Sequence, residues 1–94
     1  MLLSQESAET TALQVLAWLA GNEELCPIFL GASGASKEDL VAGTGDPAFL
    51  AAVLDFVMTD DVWVMSCCDA CKLDYSAPMA ARQALPGGGE VHWT

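Results

Sequence analysis

The dipeptide Asp46-Pro47 constrains this chain more than any other pair in it. Proline lacks the N–H that a helix interior or a central strand needs, yet its fixed φ suits the first turn of a helix. Aspartate is among the strongest residues for the position just before that turn. The stretch that follows, "AFLAAVLDFVM", repeats apolar residues at helical spacing, with Phe49, Val53, Phe56 and Val57 on one face and Leu50 and Leu54 beside it. The pattern predicts a helix from Asp46 to Met58, and the rest of the chain is expected to pack around it.

The other segments read the same way. A first helix is predicted from about Ser7 to Ala20, with Leu13, Leu16, Ala17 and Ala20 inward and Val15, Trp18 and Leu19 widening that face; Gly21 and Asn22 end it. "NEELCPIFLGASG" predicts a shorter helix with Leu25, Phe29 and Ile28 inward and Pro27 in its first turn. After a turn at Gly34, Ser36 with Asp39 three positions on forms a capping signature for a brief helix ending at Gly43. Thr59 or Asp60 starts a further helix that carries "SCCDACK" in its last turns, where Lys72 suits the negative end of the helix dipole. A final helix, "APMAARQAL", is expected to be capped by Ser76, and "PGGGEVHWT" stops it. No alternating run is long enough to predict a sheet.

The expected fold is therefore all-α: a compact bundle of five or six short helices over residues 1–85, with a flexible glycine-rich tail over residues 86–94. Apolar residues make up 53% of the chain and charged ones only 17%, more core-forming material than a domain this small requires. Some apolar surface is thus expected to be left for a protein partner or a second copy. Thirteen acids against Lys37, Lys72 and Arg82 give a net charge of −10, a field that repels nucleic acids and anionic membranes. The first residues lack the cationic start of a secretory signal, and acids interrupt every apolar run before it reaches membrane-spanning length. A soluble cytoplasmic protein with reduced thiols is expected, binding neither nucleic acid nor membrane.

"SCCDACK" is the motif with most chemical promise. On a helix, Cys67 and Cys71 are neighbours at i and i+4, and Cys68 and Cys71 form a C-x-x-C pair. A tetrahedral metal site would need ligands from elsewhere, and only Cys26 and His92 remain, neither in a paired motif. A redox C-x-x-C favours a helix N-terminus, whereas this one is near a C-terminus and holds Asp69. The three thiols are read first as core packing, since cysteine behaves as a small hydrophobe. The alternative is a thiol site on Cys67, Cys68 and Cys71 that binds a metal or senses oxidants, which requires the three sulfurs to be partly exposed.

The remaining candidates are weaker. "FLGASGASKEDLVAG" has the layout of a helix-turn-helix, but its second helix offers Glu38 and Asp39 against one Lys37, so DNA is excluded on charge. His92, in the tail, has no orienting partner for catalysis. Paired acids cluster at helix starts, where capping explains them. No catalytic residue and no cofactor is expected. Trp18, Trp63 and Trp93 are the anchors expected for a partner if exposed, with Trp18 and Trp63 read first as core.

The order "ALQVLAWLAGNEELCPIFLGASGAS", "DLVAGTGDPAFLAAVLDFVMTDD" and "PMAARQALPGG" resembles the small bacterial family catalogued as domain of unknown function 3572. The similarity covers nearly the whole chain and is most specific in "DPAFLAAVLDFVMTDD". It implies a compact all-helical protein with no established activity and no assigned catalytic residues, and the cysteine cluster is not part of the family pattern. The function expected on these grounds is non-enzymatic: protein binding through exposed helix surface.

Overall fold

A computed structural model describes residues 4–85; the predicted tail, with His92 and Trp93, lies outside the described residues. Six α-helices follow in order: α1 (Gln5–Ala20), α2 (Leu25–Ser33), α3 (Lys37–Ala42), α4 (Pro47–Val57), α5 (Asp61–Cys71) and α6 (Ala77–Ala84), with a 3-10 turn, Gly43–Gly45, leading into α4. The described residues contain no strand, so the fold is the all-α bundle that the periodicity predicts.

The caps follow side-chain chemistry. Asp46 accepts the Ala48 N–H at 3.0 Å, with Pro47 in the first turn of α4. Asp60 accepts the Val62 N–H at 2.9 Å at the start of α5. At α3 the capping box is complete: Ser36 Oγ accepts the Asp39 N–H, and Asp39 accepts the Ser36 N–H at 2.9 Å. Each satisfies a donor that the helix geometry leaves free. Ser76 does not cap α6 through its side chain; its backbone is already helical, and the segment is closed by the Ala77 N–H donating to the Asp74 carbonyl at 2.9 Å. Lys72 terminates α5 through its backbone: it adopts a left-handed conformation, φ 59°, and the Cys68 carbonyl accepts the N–H groups of both Lys72 and Leu73.

The bundle is organised on α1 rather than on α4. Helix α1 packs on α2, α4, α5 and α6, most extensively on α6 and α4. Its buried face is Ala8, Ala12, Val15, Leu16 and Leu19, rotated from the predicted one. Small side chains explain the choice: Ala8 and Ala12 on α1 and Ala81 on α6 are fully buried, and alanine lets helix axes approach closely. Leu13, Ala17 and Ala20 are consequently exposed. Ile28 is exposed as well, since α2 buries only Leu25, Cys26 and Phe29.

Helix α4 supplies Leu50, Ala51, Val53, Leu54 and Val57 to the core, with Phe49 and Phe56 half-buried. Phe29 of α2 stands between these two rings, edge-on to Phe49 at 6.0 Å and to Phe56 at 5.1 Å. Phe56 in turn stacks on Trp63 of α5 at 5.0 Å, so one aromatic run joins three helices. The core of the described residues holds no buried polar or charged residue. Among them no single helix is long and apolar enough to cross a membrane.

Candidate functional site

Helix α5 presents its thiols inward. Its apolar face continues from Trp63 and Val64, both half-buried against the core, to Cys67 and Cys68, each 0% exposed. Cys71 is half-buried, and its Sγ donates to the Gln14 carbonyl of α1 at 3.6 Å. Burial pushes the Cys67 thiol up from its ordinary 9.0 to about 12, with Cys71 as the second cause. Cys68 is raised as well, by burial first and then by Cys71, Asp69 and Asp74. A thiol held above its ordinary pKa is a poor nucleophile and a poor metal ligand at neutral pH.

The partners that such a site would need do not gather there. Asp69, inside the C-x-x-C, accepts the Tyr75 hydroxyl at 2.8 Å, which ties the loop after α5 back to the helix. Cys26 is buried on α2 and lines a separate hollow with Ala20, Glu23 and Pro27. Among the described residues no group of three or more histidine, cysteine or acidic side chains is arranged to hold a metal ion. Two of the three sulfurs lack the exposure that the thiol reading requires.

A hollow of about 440 Å³ between the end of α2, α3 and the start of α4 contains Asp39 and Asp46. Both carboxylates are occupied as helix caps. Ser33 in the same hollow donates to the Phe29 carbonyl at 2.7 Å. Three oxygens committed to local backbone do not make an acid, base or nucleophile set. Arg82 of α6 pairs through Nε with Asp55 of α4 at 2.7 Å, and its buried Nη1 finds no acceptor among the described residues.

The family model described as Protein of unknown function (DUF3572) matches residues 5–88. The chain belongs to this family. No curated protein and no solved structure matches it. Membership in DUF3572 assigns no reaction and no site residue.

The exposed apolar side chains were not legible as such in this DUF3572 chain. Trp18 and Trp63 are half-buried and packed against the core, and Trp93 lies outside the described residues. Large hydrophobics that do reach the surface are Leu13, Val41, Val62, Met65, Tyr75 and Met79, with Ile28. No local signal marks them: Leu40 and Val41 are adjacent and equally apolar on α3, and only Leu40 is buried.

Proposed function

We propose that this DUF3572 protein acts by binding another protein through apolar helix surface, and that it does so in the cytoplasm, where its four free thiols stay reduced. The observation that carries the reading is the apolar material left outside a filled core, led by Val41 at 75% and Val62 at 61% exposure. Val41 adjoins Leu13, Ala17 and Ala20 in one open apolar groove, and contiguous exposed apolar surface on a small domain is commonly a binding surface. The acidic surroundings keep copies apart. Binding also fits the chemistry: Cys67 and Cys68 are buried with raised pKa values, and the acids in the α2–α4 hollow serve as caps.

The test is a photocrosslinking scan in the native cell, with a benzophenone side chain placed in turn at Val41, Val62 and Met79 and, as exposed polar controls, at Gln14 and Gln83. A discrete crosslinked protein at one or more apolar positions, and none at the controls, is expected. Equal and diffuse crosslinking at all five positions would overturn the reading.

A further inference from the structure

The exposed face of α1 is a strip rather than a scatter. Glu6, Leu13, Ala17 and Ala20 are exposed and Glu9 is half-buried, its carboxylate accepting from Gln5 Nε2 at 3.0 Å; the five recur at intervals of three and four residues, which places them along one side of the helix. The apolar part of the strip, Leu13 to Ala20, meets α3 and the 3-10 turn. There Leu13, Ala17, Ala20, Leu40, Val41 and Thr44 line an open groove of about 340 Å³. Its one hydroxyl is already engaged, since Thr44 Oγ donates to the Val41 carbonyl at 2.9 Å. The lining therefore offers an occupant only apolar contact.

The charges beside the groove are of one sign on α1 and mostly so on α3. Glu6 and Glu9 extend the strip beyond Leu13, and Glu38 precedes Val41 by one turn. Of the three cations in the chain, Arg82 is paired with Asp55, Lys72 ends α5, and Lys37, one turn before Val41, lines the neighbouring hollow that Glu23 shares. Two copies of a chain with net charge −10 repel one another, which argues against a second copy as the occupant.

We infer that the α1–α3 groove is the docking site of a basic amphipathic helix from a partner protein. The proposal rests on the binding reading above and names its surface. Apolar side chains at i, i+4 and i+7 of the partner enter between Leu13 and Val41, and flanking lysines or arginines meet Glu6, Glu9 and Glu38. From Glu6 to Ala20 the strip spans about 21 Å at the helical rise, a footprint of roughly four turns.

The experiment titrates the full chain, with leucine and valine methyls labelled with carbon-13, against two synthetic helical peptides. One carries leucine at i, i+4 and i+7 with lysine on its flanks; in the other every lysine is glutamate. The lysine peptide is expected to bind in the micromolar range, to shift the Leu13 and Val41 methyls, and to weaken as salt rises. Val41→Glu is expected to weaken it at least about tenfold, a change of about 1.4 kcal/mol, while Gln83→Glu, at an exposed polar position on α6, leaves it unchanged. The paired change Glu6→Gln and Glu9→Gln is expected to weaken it at low salt only. Because Val41 is mostly exposed, its variant is expected to keep the wild-type circular dichroism.

Equal binding of both peptides would overturn the charge assignment. Shifts confined to Val62 would overturn the groove while leaving the binding reading intact. Self-association of the free protein abolished by Val41→Glu would give the groove to a second copy, and Leu13 and Val41 shifts on Trp93→Ala would give it to the chain's own tail; either overturns the proposal. No shift with either peptide at about millimolar concentration overturns it as well. In that case the crosslinking scan decides whether the binding reading falls with it.

Discussion

Gly43 ends α3 at φ −77° and ψ −5°, a conformation open to any residue, so the reason for glycine there is space rather than backbone freedom. A Cβ on Gly43 would collide with the Phe49 ring, coming within 2.5 Å of Cγ and 2.8 Å of Cε2 and nearer still to Cδ2. Ordinary carbon contacts begin near 3.5 Å, so Gly43→Ala requires the Phe49 ring to move by about 1 Å or more. That ring is the outer member of the aromatic run and is held edge-on to Phe29. Overpacking of this kind costs about 1–3 kcal/mol, within which the lost ring contact accounts for about 0.5–1.5. The reduced freedom of the unfolded chain returns about 0.4–1 kcal/mol. The expected net is a destabilisation of about 1–2 kcal/mol. In urea, with a slope of about 1 kcal/mol per molar for so small a chain, the midpoint falls by about 1–2 M. In a Phe49→Ala background the clash is gone, and Gly43→Ala should be neutral or slightly stabilising. Gly45, with nothing within 4 Å of its would-be Cβ, is the control whose alanine variant should not lose stability. A Gly43→Ala midpoint at or above wild type would refute the close approach of Phe49 and with it the packing of α4 on the 3-10 turn.

Three further outcomes are expected. Because the folded state holds the Cys67 thiol protonated, raised from 9.0 to about 12, its contribution is fully present below about pH 9 and is lost as pH rises toward 12. Stability measured across that window should fall less steeply in Cys67→Ala than in wild type. Lys72→Gly removes the strain of a left-handed lysine and should stabilise the protein by up to about 1 kcal/mol in thermal or urea unfolding. Asp46→Ala deletes the α4 cap and should cost about 1 kcal/mol, whereas Asp46→Asn should recover most of it.

The helices were legible wherever local chemistry decides. Asp46-Pro47, the Ser36 and Asp39 box and the Asp60 cap act within one turn, and the structure places them as the sequence predicts. What the sequence could not reveal depends on neighbours distant along the chain. From Ala12 to Ala20, Gln14 is the one polar residue of α1, so the pattern alone did not decide which side meets α6. Close helix approach selected the alanines, leaving Leu13 outside. The candidate groove was hidden for the same reason, since Leu13 and Val41 become one surface only when α3 folds against α1. Cys67 and Cys68 are buried, as cysteines that extend an apolar helix face are expected to be.

The most direct test of the account is the yield of crosslinked partner from a benzophenone at Val41, measured in two variants of the full chain. Cys71→Ala removes both the i, i+4 pair and the C-x-x-C pair on which any thiol chemistry would depend, while Leu13→Glu places a charge in the groove. The account predicts that the crosslinked species persists in Cys71→Ala and disappears in Leu13→Glu. A species that survives Leu13→Glu and is lost in Cys71→Ala would contradict it, and would return the function to the cysteines of α5.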